Sequence, residues 1–109
     1  MRCCDIPAHK LAKCKVFDHR KMSKRKADAS WLRIPLMISE WGACSDSRTC
    51  YDYMMNTLDV MDEFVASHTY WMLKGFGDFT TVSDAVQGIY TPDGELQKYK
   101  PIALSRPYF

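Results

Sequence analysis

Two short apolar runs stand out along an otherwise mixed chain. The first, Ile34 to Ser39 (IPLMIS), lies between Arg33 and Glu40; the second, His68 to Leu73 (HTYWML), is closed by Lys74 and Gly75. Runs this short, with polar or turn-forming flanks, have the length of strands, and the first predicts a strand buried on both faces. Pro35 then belongs near its first residue, where a missing N–H is tolerated. The aromatic residues of the second run suit a second buried strand. Between the two, Tyr51, Met54, Met55, Leu58, Met61, Phe64 and Val65 recur every three or four residues, with Asp52, Asn56, Asp59 and Asp62 between them. This pattern predicts an amphipathic helix whose methionine stripe faces a core, entered through turn chemistry at Ser45 to Thr49.

Polar positions organise the rest. Val16 to Trp31, rich in Lys, Arg and Ala, favours a polar helix. Asp78 to Asp84 reads as loop, Gly88 to Tyr90 as a short extended piece, and Pro92-Asp93-Gly94 as a turn. Glu95 to Ser105 can be helical if Pro101 begins the helix rather than breaks it. Residues 1–15 show no period and stay an unassigned N-terminal segment, with 16–109 as one unit. The order helix, strand, helix, strand, loop, helix is the alternation of a parallel α/β protein. A buried parallel strand needs neighbours on both edges, so two strands read as part of something larger.

Composition narrows the classes. At 109 residues and 47% hydrophobic, the chain suits one small domain with a modest core. A net charge of +2 gives no argument for nucleic acid, and the cluster Arg20, Lys21, Lys24, Arg25, Lys26 reads as a solvated helix face, with a binding patch as the alternative. No run approaches a membrane span, and the start, MRCCDIPAHK, lacks the apolar centre of a signal peptide. Five cysteines show no paired zinc spacing, so no metal site is expected.

Chemistry concentrates at the strand ends. Glu40 follows the first apolar run, at the carboxyl end where α/β folds place ligand chemistry. Trp41 lowers the polarity around it and Gly42 allows a tight exit. A salt bridge or cap at the strand end is the alternative for Glu40. At the end of the second run, Tyr70-Trp71 offers a flat apolar surface of the kind that stacks on a sugar, with Lys74 reaching a polar group beyond; Trp71 as a core residue is the alternative.

PLMISEWGAC, YWMLK, DFTT and GIYTPDGELQKYKPIALSRPY, in this order and spacing, resemble the last quarter of the catalytic barrel of glycoside hydrolase family 5, particularly its endoglycoceramidase and glucosylceramidase-like branch. The resemblance covers about residues 16–109. It implies the last two strand–helix units of a (β/α)8 TIM barrel, with Glu40 matching the nucleophile that ends the seventh strand and Trp71 matching the tryptophan that lines the sugar subsite on the eighth. Lys74, Asp78, Thr80 and Thr81 match the branch's K-x-x-x-D-x-T-T run. The branch also carries a cysteine pair matching Cys44 and Cys50, whose five intervening residues are few enough for a disulfide; two free thiols are the alternative. A bridge implies passage through an oxidising compartment, secretory or lysosomal.

The implied activity is hydrolysis of O-glycosyl bonds in a carbohydrate or glycolipid, with retention and without metal or cofactor. A retaining glycosidase needs a second carboxyl about 5–5.5 Å from the first. In the family this acid follows an asparagine, whereas the sole asparagine here is Asn56, and the remaining glutamates, Glu63 and Glu95, fall where solvated residues are expected. The chain alone is therefore expected to be inactive and to need the remainder of a larger protein. A non-catalytic carbohydrate-binding or interaction module, or a degenerate gene product, are the alternative readings.

Overall fold

The computed structural model describes residues 7–42 and 44–106. A 3-10 turn at Ala8–Lys10 leads into α1 (Leu11–Leu32), followed by β1 (Met37–Trp41), α2 (Arg48–Glu63), β2 (Ser67–Tyr70), a 3-10 helix (Val82–Gln87) and α3 (Tyr99–Ser105). β1 and β2 pair in parallel as a two-stranded sheet, and α2, the crossover between them, also packs against α1 and α3. This corrects the expectation of the last two units of a (β/α)8 barrel. Among the described residues each strand has one hydrogen-bonded neighbour, so no barrel wall exists, and α3 follows β2 only after a long irregular excursion.

α1 runs through residue 15, starting well before the predicted Val16. The extra turn is fixed by packing rather than by propensity, because Leu11 and Cys14 are buried in a helix with few other buried residues. Arg33 stops it in the left-handed conformation (φ 57°), its N–H bonded back to the Ser30 carbonyl at 3.1 Å. Pro35, two residues on, disfavours helical geometry before it and prevents continuation.

α2 holds the core. Its N-cap is Ser47, whose hydroxyl accepts from the Cys50 N–H at 3.0 Å, and it buries Cys50, Met54, Leu58 and Met61 against Trp41, Cys44 and Ala103. Burying each large apolar side chain stabilises the fold by about 1.5–3 kcal/mol. The helix ends at Glu63, so Phe64 and Val65, expected on its stripe, fall outside, and Val65 is exposed with φ 50°.

The strands correct the expectation of burial on both faces. Along β1, Met37, Ser39 and Glu40 are exposed, Ile38 is half-buried and Trp41 is buried, because helices cover one face only. The register explains the odd spacing. Met37 pairs with Ser67 and Ile38 with His68, but the next pair is Trp41 with Tyr70. β1 therefore carries one extra residue across Ser39-Glu40, a bulge that resets side-chain alternation. By strict alternation Glu40 would share the face of Ile38; with the bulge, Trp41 takes that face and Glu40 is exposed.

After β2 the Trp71–Met72 peptide is cis. Pro92-Asp93-Gly94 forms the expected turn: the Gly94 N–H reaches the Thr91 carbonyl at 2.9 Å, and Gly94 adopts φ 90°, which only glycine takes without strain. Tyr90 bridges Leu96 across it. Pro101 lies in the first turn of α3, where its missing N–H is tolerated. The side chain of Asp46, 52 to 54 residues earlier, accepts the backbone N–H groups of Lys98 (2.8 Å), Tyr99 (2.9 Å) and Lys100 (3.2 Å). With Pro101 having none, every N-terminal donor of α3 is accounted for.

Candidate functional site at the strand ends

Parallel pairing brings the carboxyl ends of β1 and β2 to the same edge of the sheet. The Trp71 backbone N–H donates to the Trp41 carbonyl at 2.7 Å, so Trp71 is held one residue from Glu40 in the neighbouring strand. Glu40 is solvent-exposed, whereas Trp71 is half-buried. The Trp71 indole N–H is buried and has no acceptor among the described residues, a buried donor left unsatisfied beneath this edge.

Beneath the edge the packing is specific. Trp41 donates its indole N–H to His68 Nδ1 at 3.1 Å, which assigns the ring proton of neutral His68 to Nε2. Trp41 also meets the His68 and Tyr70 rings edge-on, at 5.7 and 5.2 Å between centroids. Tyr70 donates its hydroxyl to the Gln87 carbonyl at 2.6 Å. Gly42 sits in close quarters: a Cβ there would lie 1.5 Å from Gln87 Oε1, the end of a flexible side chain that would have to move, and 3.1 Å from the Trp71 carbonyl oxygen. Its role is therefore spatial.

Cys44 and Cys50 form a disulfide with their Cα atoms 5.6 Å apart, closing the loop that connects the Glu40 end of β1 to α2. Asp46, within this loop, ties it to α3. Sequence patterning missed this link, since an aspartate just before a helix reads as a cap for that helix, yet Ser47 caps α2 and Asp46 caps α3. Lys100 was missed too. It is fully buried and donates its ammonium to the carbonyls of Val86 and of Gly88, the latter at 3.2 Å. Burial pushes its pKa down, and the nearby Asp46 charge opposes that shift.

The other positions matched to the resemblance divide. Lys74 places its ammonium 5.2 Å from the centre of the Phe76 ring, a cation–π contact, rather than in any described contact with Glu40. Asp78, Thr80 and Thr81 close on themselves: the Asp78 carboxylate accepts the backbone N–H and hydroxyl of both threonines, while Thr81 Oγ1 accepts the Phe76 N–H at 3.0 Å. The threonine hydroxyls and N–H groups lower the Asp78 pKa to about 2. These residues build their own loop.

Glu63 is engaged at the opposite end of the sheet. It is the last residue of α2, a few residues before Ser67 pairs with Met37, and meets His19 of α1 at 2.9 Å. Glu95 sits in the turn after Gly94, its N–H on Thr91 Oγ1 at 3.0 Å. Among the described residues no group of three or more His, Cys, Asp or Glu gathers to hold a metal ion, and no helix is long and apolar enough to cross a membrane. No protein-family model, curated protein or solved structure matches the chain.

Proposed function

We propose that this chain contributes the nucleophile side of a retaining β-glycosidase site, directed at the O-glycosyl bonds of glycosphingolipid-type substrates. The observation that carries the reading is the juxtaposition of Glu40 and Trp71 at one edge of two parallel strands, joined through the Trp71 N–H on the Trp41 carbonyl. A Glu40 oxygen attacks the anomeric carbon as the glycosidic C–O bond breaks, giving a covalent glycosyl-enzyme. Water then attacks that carbon and releases Glu40 with retention. Trp71, half-buried at this edge, forms one wall for the sugar ring. Lys74, held over Phe76, frames the approach.

Protonating the leaving oxygen and activating water both require the second carboxyl, which Glu63, at the opposite end of the sheet, is badly placed to supply. In this reading it comes from outside these 109 residues, and the chain alone does not turn over unactivated glycosides. The Cys44–Cys50 bridge supports passage through an oxidising compartment. Exposure of Glu40 to water favours a second reading, a carbohydrate-binding module without hydrolysis.

A 2,4-dinitrophenyl 2-deoxy-2-fluoro-β-glucoside separates the two, since its leaving group needs no general acid and its fluorine slows release of the covalent intermediate. Peptide mapping after incubation is expected to find the fluorosugar on Glu40, with none on Glu40→Gln. An unlabelled Glu40, or label on another carboxylate, overturns the nucleophile assignment. Unlabelled Glu40 with a sugar-dependent shift of the Trp71 indole N–H resonance supports the binding-module reading instead.

A further inference from the structure

A groove of about 520 Å³ opens between α1, β1 and α2, on the side of β1 opposite Glu40. Small-molecule sites span roughly 300–1,000 Å³ and combine an apolar lining with a few placed polar groups. Here Met22, Ile38, Trp41 and Val60 supply the apolar surface, and Tyr53 and Thr57 complete the α2 wall. Every charged lining residue belongs to α1: Lys21, Lys24 and Arg25 against a single acid, Asp18. Lys21 offsets Asp18 electrostatically and Arg25 shares Asp28 at 3.1 Å, while Lys24 has no ion-pair partner among the described residues. α1 as a whole carries seven Lys and Arg against two Asp, so its field along the groove is positive.

We propose that this groove binds a small anionic amphiphile, its alkyl or aromatic body against Met22, Ile38, Trp41 and Val60 and its carboxylate at the Lys21–Lys24–Arg25 edge. The limited volume favours a single-chain ligand over a partner helix, whose apolar anchors recur over two or more turns. Cations on one rim and apolar side chains below match a ligand with charge at one end only. The site is independent of the Glu40 edge, because Trp41 faces the groove and Glu40 does not.

Dodecanoate, below its micelle concentration, is titrated calorimetrically into the 109-residue chain at low salt, and amide and indole resonances are followed in parallel. Binding at one site is expected, with shifts at Ile38 and the Trp41 indole, weakened by about tenfold or more in K21E/K24E/R25E and by 0.5 M salt. Dodecanol is expected to bind at least tenfold more weakly. Should the triple variant lose helicity by circular dichroism, the salt and dodecanol comparisons decide alone. Absence of dodecanoate binding, shifts confined to residues outside the groove, or equal binding of dodecanol or dodecyltrimethylammonium overturns the proposal. So does an acidic amphipathic peptide that binds where dodecanoate does not.

Discussion

Replacing Asp46 by alanine tests how the disulfide loop supports the C-terminal helix. The carboxylate accepts three backbone N–H groups of α3, at 2.8, 2.9 and 3.2 Å, from a residue more than fifty positions away. With seven residues, α3 is too short to persist without tertiary support. Loss of an N-cap side chain costs about 0.5–2 kcal/mol, and a hydrogen bond to a charged group contributes about 1.5–3 kcal/mol. The Lys98 and Tyr99 donors regain water once the carboxylate is gone, whereas the Lys100 residue is fully buried, so the three terms do not add in full. The net expectation is about 2–3 kcal/mol, equivalent to a fall in Tm of about 10 °C for a domain of this size. Asp46→Asn keeps an oxygen acceptor without the charge and is expected to lose about half as much. Urea unfolding gives the free energies, and amide hydrogen exchange at Lys98 to Lys100 locates them. A cost for Asp46→Ala within about 0.5 kcal/mol, or unchanged protection at these amides, refutes the reasoning.

Gly42→Ala is expected to destabilise by about 1–3 kcal/mol, because the added methyl displaces Gln87 and crowds the Trp71 carbonyl; Gln87→Ala in the same chain should recover part of the loss in thermal melts. The Asp78 carboxyl has its pKa lowered to about 2 from an ordinary 3.8, so the stabilisation of its turn is present above the unfolded value and lost as pH falls through the folded one. NMR titration should therefore show the Thr80 and Thr81 amides holding their positions down to about pH 3 and moving with a midpoint near pH 2; a midpoint at the ordinary 3.8 or above contradicts this. Glu40→Gln, at an exposed position, is expected to leave Tm within about 2 °C of the original while abolishing fluorosugar labelling, and a large loss of stability would make Glu40 a structural residue. Arg106→Ala removes contacts to Asp59 at 2.6 Å, Asp62 at 3.0 Å and the Met55 carbonyl at 3.3 Å. At a half-exposed site this is expected to cost about 1 kcal/mol in urea unfolding, diminishing with added salt; a salt-independent cost identifies packing as the cause.

Much of the element order was legible because each signal was local. The three-and-four spacing of Met54, Leu58 and Met61 imposes one helical face, and Pro92-Asp93-Gly94 imposes a turn, whatever surrounds them. The closeness of Glu40 to Trp71 also followed from the pattern, since two parallel strands bring their carboxyl ends to one edge. The direction in which Glu40 faces did not. It depends on a one-residue bulge across Ser39-Glu40, and strand register is decided by the partner strand, not by the run IPLMIS. That run reads as buried on both faces because Ile34, Leu36, Met37 and Ile38 are all apolar; with helices on one face only, Ile34 and Met37 remain exposed. The barrel was likewise an inference from motif likeness, and closure is a property of many strands that two cannot express. Asp46 and Lys100 were invisible for a related reason. A carboxylate that caps a helix fifty residues away and an ammonium that satisfies two loop carbonyls acquire their roles only when α2 and α3 pack together. Periodicity and turn chemistry act over a few residues and belong to the sequence; register, cross-chain capping and the groove beside α1 arise from the free energy of the assembled elements.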